Sequence, residues 1–177
     1  MRLSIIALFL FVSSLGYSQE TINWLKIEDL EAAQAKEPRK VIVDLYTDWC
    51  HWCHKMDKNT FQNPGIAAYV NENFYAVRFN AEQKDTIVFK GQKFGFVPKG
   101  RKGYNELAAN LAKGRLSYPT IVYLDVESNL IQAVPGYMDA AAFEKVITYL
   151  GEDHHIEQEF EQYKMNYSGN IHKSTKE

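Results

Sequence analysis

Two closely spaced cysteines, Cys50 and Cys53, follow directly on a strand pattern and constrain this chain more than any other feature. Residues 41–46 form an almost continuous apolar run with a single carboxylate, Asp44, which is typical of a buried strand. The chain has 2 cysteines in all. A bridge across two residues closes so small a loop that it would be a weak staple. The pattern therefore predicts a reactive pair of thiols.

Residues 1–18 are typical of a signal peptide. Arg2 supplies a positive charge, residues 3–12 are apolar except for Ser4, and Gly16 and Ser18 place small side chains at the two positions that a signal peptidase inspects. The apolar run is shorter than the ~20 residues that a membrane helix needs. We therefore expect cleavage after residue 18 and an exported protein, periplasmic or extracellular, without stable membrane insertion. The alternatives are an uncleaved anchor and a buried first helix.

At 177 residues the chain fits one domain, expected over residues 19–151, with a polar C-terminal extension over 152–177. The formal charge of −2 disfavours nucleic acid or an anionic membrane as its main partner. The patterns predict strands over 22–27, 41–46, 74–79, 120–124 and 130–134, helices over 28–36, 54–61, 66–72, 105–113 and 140–150, and a hairpin within 87–96. This order predicts an α/β fold, a mixed sheet with helices on both faces.

The segment over residues 43–53, Val-Asp-Leu-Tyr-Thr-Asp-Trp-Cys-His-Trp-Cys, resembles the active site of the thioredoxin superfamily. There a strand ends in Trp-Cys-x-x-Cys, which opens a helix. Pro119, just before a predicted strand, resembles the cis-proline of that superfamily, and Gly136 follows the next strand. The Trp-Cys-His-Trp-Cys-His run is similar to thioredoxin-like proteins of the disulfide-interchange kind. The resemblance covers about residues 40–151 and implies a thioredoxin fold with an insert, about 81–117, before the cis-proline strand.

The resemblance implies a thiol–disulfide oxidoreductase whose redox centre is the Cys50–Cys53 disulfide, without a further cofactor. Cys50, at a helix N-terminus, is expected to be the nucleophile, and Cys53 the less exposed resolving thiol. Asp44, buried in an apolar strand, should have a raised pKa and exchange a proton with Cys53. The alternative is that Asp44 is satisfied by a lysine or by Arg78.

The remaining site residues are expected to bind substrate: Trp49, His51, Trp52, Tyr118 and Gly136. A cis Pro119 would leave the Tyr118 backbone free to pair with an extended substrate, whereas a trans proline would simply begin a strand. Protonated His51 would stabilise the reduced form. Disulfide isomerases and periplasmic oxidases, however, place histidine beside the second cysteine, so the direction of exchange stays open.

Three other interpretations use the same residues. Cys50, Cys53 and His54 satisfy the Cys-x-x-Cys-His pattern of c-type haem attachment. The two cysteines with His51 and His54 could bind zinc, although we expect no metal. The fold could also serve as a redox-inactive binding module.

The expected partners are client proteins with thiols or disulfides, and a membrane thiol reductant. The insert over 81–117 combines basic and aromatic residues: Lys84, Lys90, Lys93, Lys99, Arg101, Lys102, Lys113 and Arg115 with Phe89, Phe94, Phe96 and Tyr104. One interpretation is a docking surface beside the cysteines for an acidic client or a membrane reductant. The other is a solvated hairpin with its aromatic rings folded inward.

Overall fold

A computed structural model of the protein describes residues 20–174, so the predicted signal peptide lies outside the described residues. In chain order the elements are β1 (Trp24–Leu25), a 3₁₀ turn (Ile27–Asp29), α1 (Leu30–Lys36), β2 (Lys40–Tyr46), α2 (His51–Met56), a π-helical segment (Asp57–Phe61), α3 (Pro64–Asn73), β3 (Phe74–Asn80), β4 (Ile87–Phe89), β5 (Gln92–Phe94), β6 (Phe96–Lys99), β7 (Lys102–Asn105), α4 (Glu106–Leu111), β8 (Thr120–Leu124), β9 (Leu130–Pro135), α5 (Ala140–Gly151), α6 (His154–Glu157), α7 (Phe160–Asn166) and a 3₁₀ turn (Ile171–Lys173). Within this described part, none of the helices is both long enough and apolar enough to cross a membrane.

Five strands form one mixed sheet in the order β1-β3-β2-β8-β9. β1 and β2 run parallel to β3, whereas β8 runs antiparallel to both β2 and β9. The crossover from β2 to β3 passes through α2 and α3, as a parallel connection requires. The predicted mixed sheet, with parallel strands and an antiparallel edge, is therefore confirmed.

The two faces of the sheet bury separate apolar cores. Val41, Val43 and Leu45 of β2 pack in a core shared with α1, α4 and the insert, whereas Ile42 packs in the core formed by α2, α3 and α5. Because side chains alternate along a strand, Asp44 lies on the same face as Ile42. The strand pattern thus directs the buried carboxylate towards the helix that carries Cys53.

The helix predicted over 54–61 begins earlier, at His51, with Cys50 as its N-cap. Its last turn, Asp57–Phe61, widens into a π-helical segment before Pro64 starts α3. Because α2 begins directly at the cysteines, the chain places Cys50 at a helix N-terminus, as predicted.

The insert contains two hairpins, whereas the sequence predicts only one. β4 and β5 join through Lys90 and Gly91, which is the predicted hairpin with a shorter turn. β6 and β7 form the second, which has no alternating pattern and carries Pro98 within β6. Proline is tolerated there because a two-stranded ribbon leaves unpaired N–H positions on its outer edges. The missing alternation is why the sequence did not predict this hairpin.

The segment after residue 151, polar in sequence, packs against α3 and α5. Its anchor is the buried carboxylate of Glu144 on α5, which accepts hydrogen bonds from the Tyr167 hydroxyl at 2.6 Å and from the backbone N–H groups of Ile171 and His172 at 3.0 and 2.7 Å. The His172 ring also contacts this carboxylate. The C-terminal segment is therefore held against α5 by specific hydrogen bonds, although its composition is polar.

Candidate active site

Cys50 and Cys53 are joined by a disulfide at the start of α2, with their Cα atoms 5.3 Å apart. The Cys50 sulfur accepts the backbone N–H of Cys53 at 3.1 Å. An N–H group aimed at this sulfur favours a thiolate there once the disulfide is reduced. Both cysteines are almost fully buried, with 4% and 3% of their surface exposed, so the expected difference in exposure is slight in the disulfide form.

Asp44 is buried beneath this helix, with only 2% of its surface exposed. Burial raises the pKa of Asp44 to about 7, although the positive charge of Arg78 acts in the opposite direction. No residue within 20–174 forms a hydrogen bond with its Oδ1 atom. The predicted rise is therefore present, and this carboxyl group can gain or lose a proton near neutral pH.

Arg78 lies beside Asp44 on the neighbouring strand, but its hydrogen bond goes elsewhere. The Arg78 Nε atom is 3.8 Å from Asp44 Oδ2, which is too long for a hydrogen bond, whereas Nη1 donates to Asp57 Oδ1 at 3.1 Å. The guanidinium also lies over the ring of Tyr46, 4.9 Å from its centroid. Arg78 therefore supplies charge to Asp44 without satisfying its hydrogen bonds, which answers the alternative raised from the sequence.

The Tyr118–Pro119 peptide bond is cis, as predicted. The backbone N–H of Gly136 donates to the Pro119 carbonyl oxygen at 2.8 Å, and Gly136 has a φ of 101°, which favours glycine. The Tyr118 ring packs edge-on against Trp49, with centroids 6.1 Å apart. Since Trp49 precedes Cys50, this contact brings the proline loop and the disulfide to the same end of the sheet.

Each cysteine is preceded by a tryptophan, Trp49 or Trp52. Both tryptophans remain about half exposed, with 55% and 50% of their surface accessible. Trp52 packs against Tyr137 at 5.4 Å, and the Lys55 ammonium lies over the Trp52 ring at 4.7 Å. His51 is exposed, with its ring 5.9 Å from Trp52. Exposed aromatic side chains therefore lie beside the cysteines, and their role in binding substrate stays a prediction.

The sequence offered a docking surface beside the cysteines as one interpretation of the insert, but it did not identify the individual contacts. Trp49 Nε1 donates to Glu82 Oε1 at 3.0 Å, and the Lys102 ammonium lies 3.6 Å from the centroid of the Trp49 ring. Both partners belong to the insert, and Tyr137 follows β9. No local pattern links them to the cysteines, because the contacts exist only after the chain has folded.

The zinc interpretation used Cys50, Cys53, His51 and His54. Between residues 20 and 174 there is no group of three or more His, Cys, Asp or Glu side chains placed to hold a metal ion. The sulfurs of Cys50 and Cys53 are bonded to each other, and the His54 Nε2 atom lies 3.0 Å from the Asp48 carbonyl oxygen. The chemistry that this arrangement supports is thiol–disulfide exchange.

The chain matches a known domain family and is similar to a thiol:disulfide interchange protein. A family model described as a thioredoxin-like domain matches residues 27–151. The thiol:disulfide interchange protein DsbD of Pectobacterium atrosepticum is 32% identical over 120 residues, which cover 67% of this chain and 18% of that protein. This chain thus corresponds to less than a fifth of that relative.

Two solved structures share the fold. The DsbH oxidoreductase superposes with a TM-score of 0.55 at 15% identity, covering 82% of this chain and 95% of that one. A thioredoxin-fold protein from Helicobacter pylori superposes with a TM-score of 0.57 at 17% identity, covering 85% and 95%. The fold expected from the sequence is thereby confirmed.

Proposed function

Since this chain belongs to the thioredoxin-like domain family, we propose that it is a thiol–disulfide oxidoreductase that reduces or exchanges disulfides of client proteins outside the cytoplasm. One observation carries this proposal: the Cys50–Cys53 disulfide at the start of α2, with the backbone N–H of Cys53 aimed at the Cys50 sulfur. A binding module without redox activity has no need of a paired dithiol in this position.

The reaction begins with the reduced pair. The Cys50 thiolate attacks one sulfur of a client disulfide, which forms a mixed disulfide with Cys50 and releases the other client sulfur as a thiolate. The Cys53 thiolate then attacks the Cys50 sulfur, which restores the Cys50–Cys53 disulfide and releases the second client thiolate. Two electrons pass from the protein to the client, and an external dithiol must reduce the pair again. A membrane thiol reductant is the proposed source of those electrons.

Asp44 is the proposed proton acceptor for the second step. Cys53 must lose its proton before it can attack, and a carboxyl with a pKa of about 7 can accept a proton at neutral pH. Asp44 lies on the face of β2 that is directed towards α2, which carries Cys53. The carboxyl would return its proton when the pair is reduced again.

Reduction of insulin by dithiothreitol, followed as turbidity, tests the activity. The protein should accelerate the reaction, whereas Cys50→Ser should remove the acceleration, and free-thiol titration should detect a dithiol only after reduction of the wild type. Equal rates for the wild type and Cys50→Ser would contradict the proposed activity and favour the redox-inactive module.

The reduction potential decides the direction of exchange. A value of about −270 mV would indicate a reductant, as we propose, and a value of about −120 mV would indicate an oxidant. Equilibration with glutathione buffers, followed by alkylation of free thiols, measures it.

Export and the absence of a further cofactor belong to the same proposal. Export is supported by the charged and apolar pattern of residues 1–18. N-terminal sequencing of the protein recovered from the extracytoplasmic fraction should begin at Gln19. The absorption spectrum of the same material should lack haem bands, because the Cys50 and Cys53 sulfurs are used for the disulfide.

A further inference from the structure

An open groove of about 520 Å³ lies between hairpin β6–β7 and the loop that carries the cis-proline. We call it the basic groove. The residues that matter to the argument are Lys99, Arg101, Lys102, Tyr104, Leu116 and Tyr118. Cationic side chains come from the hairpin turn, and the apolar and aromatic ones come from β7 and the proline loop. The groove thus combines positive charge with apolar surface.

The basic groove adjoins the disulfide through Trp49. Tyr118, which lines the groove, packs edge-on against Trp49, and the Lys102 ammonium lies 3.6 Å from the Trp49 ring centroid. Trp49 is the residue before Cys50. A client whose cysteine reaches Cys50 would therefore carry its neighbouring residues past this groove, since an extended chain advances about 3.4 Å per residue.

The charge of the groove is free to act on a partner. Lys99, Arg101 and Lys102 are exposed, and neither Lys99 nor Arg101 forms a salt bridge with any residue in the described range 20–174. Glu82 is the acidic residue of the lining, and its carboxylate already accepts the Trp49 indole N–H at 3.0 Å. The whole chain has a formal charge of −2, so this positive surface is a local feature.

From these observations we propose that the basic groove binds an acidic, extended segment of a client polypeptide beside the disulfide that Cys50 attacks. This proposal rests on the proposed function and specifies its substrate class. Carboxylates of the client pair with Lys99 and with the Arg101 guanidinium, which can hold a carboxylate with two parallel hydrogen bonds. Apolar client side chains contact Leu116 and Tyr118. Lys102 has a different role, because its ammonium group already lies over the Trp49 ring and positions that ring.

Two disulfide-bonded peptides test this selectivity. They share one sequence, but one has aspartate and glutamate beside the cysteine and the other has asparagine and glutamine. The wild-type protein, kept reduced by a reducing system, should show a kcat/KM about three- to tenfold higher for the acidic peptide at low salt. This preference should fall towards equality in high salt, because exposed charges are screened.

Charge reversal identifies the groove as the source of the preference. The double variant Lys99→Glu/Arg101→Glu should lose or invert the preference while it reduces the neutral peptide at the wild-type rate. The matched control is Lys36→Glu/Lys164→Glu, which changes the net charge equally at exposed positions outside the groove. This control should retain the preference, and the neutral peptide shows that each variant is folded and active.

The outcomes separate the two proposals. If the wild type reduces neither peptide faster than Cys50→Ser does, the proposed function fails. If it reduces both peptides at equal rates, only the basic groove proposal fails. A preference that survives in Lys99→Glu/Arg101→Glu, or disappears equally in Lys36→Glu/Lys164→Glu, would also overturn the groove proposal, because the net charge or another surface would then be responsible.

Discussion

Asp44 and Arg78 lie directly opposite each other on the parallel strands β2 and β3, with Arg78 Nε 3.8 Å from Asp44 Oδ2. Arg78 gives its hydrogen bond to Asp57 instead, at 3.1 Å. The positive charge of Arg78 therefore acts on the buried carboxyl of Asp44, but Arg78 donates no hydrogen bond to that carboxyl. This balance leaves the pKa of Asp44 at about 7, where burial dominates over the attraction to Arg78.

Replacement of Asp44 by asparagine should stabilise the oxidised protein at neutral and alkaline pH. The pKa of the carboxyl rises from 3.8 to about 7 on folding, so the folded state binds the proton more tightly and the free energy of unfolding decreases as the pH rises through this window. We expect Asp44→Asn to raise that free energy by roughly 2–4 kcal/mol near pH 8 and by much less near pH 4. Urea unfolding at both pH values measures it. The exposed control Asp85→Asn should change little, and an equal effect of Asp44→Asn at both pH values would contradict the expectation.

Removal of the Arg78 charge should raise the pKa of Asp44 further. The guanidinium favours the ionised carboxyl, so Arg78→Gln removes the main opposing influence on a group that burial already disfavours as an anion. A pH titration of the Asp44 carboxyl carbon by NMR reads this value directly. Arg115→Gln, at an exposed position, is the control and should leave the titration unchanged. An unchanged or lowered pKa in Arg78→Gln would show that the charge of Arg78 does not reach Asp44.

The docked C-terminal segment should be released by acid. Burial alone would raise the pKa of Glu144, but hydrogen bonds from Tyr167 and His172 outweigh it and hold the pKa below the usual 4.5. A lowered pKa means that the stabilisation is present above about pH 4.5 and is lost as the pH falls through the folded value. The protection factors of the amides in residues 167–173, corrected for the pH dependence of intrinsic exchange, should therefore decrease in acid.

The same contact should respond to mutation at neutral pH. Glu144→Gln should lower the free energy of unfolding by about 1–3 kcal/mol and accelerate exchange over residues 167–173, because charged acceptors make the stronger hydrogen bonds. Glu157→Gln, at an exposed position on α6, is the matched control. Protection of residues 167–173 that is equal in Glu144→Gln and the wild type would mean that another contact holds this segment.

Hairpin β6–β7 should depend on the glycine at position 103. A Cβ atom there would lie 2.2 Å from the Phe96 ring and 2.5 Å from the Val97 carbonyl oxygen, so Gly103→Ala forces the strands apart. We expect a loss of about 1–3 kcal/mol in the free energy of unfolding, measured by urea denaturation. Gly95→Ala is the control, since its Cβ would meet only Glu106 Oε2, at an ordinary 3.6 Å. Equal stabilities of the two variants would contradict this role.

Local features of the sequence determined the framework of the site. The apolar run of β2 and the two cysteines, separated by two residues, lie within one short segment, so the strand alternation could be predicted without the rest of the chain. The helix start at Cys50 came from the resemblance, because the local pattern began that helix only at residue 54. The raised pKa of Asp44 follows from the same segment, because a single carboxylate in a buried strand loses its water wherever that strand packs. The resemblance to thioredoxins extended this reasoning to Pro119, whose peptide bond is cis.

Only the tertiary structure decided what surrounds this framework. The contact of Lys102 with Trp49 joins residues that are far apart in the chain, and it depends on a hairpin whose proline and glycines show no strand pattern. The docking of the C-terminal segment onto Glu144 depends likewise on a fold that buries this glutamate on α5. Periodicity and capping act within a few residues, whereas such contacts form when separate elements pack and exclude water. For that reason the reactive pair could be found from the sequence, whereas the sequence left two interpretations of the insert open, and only the fold shows that hairpin β6–β7 lies beside the pair.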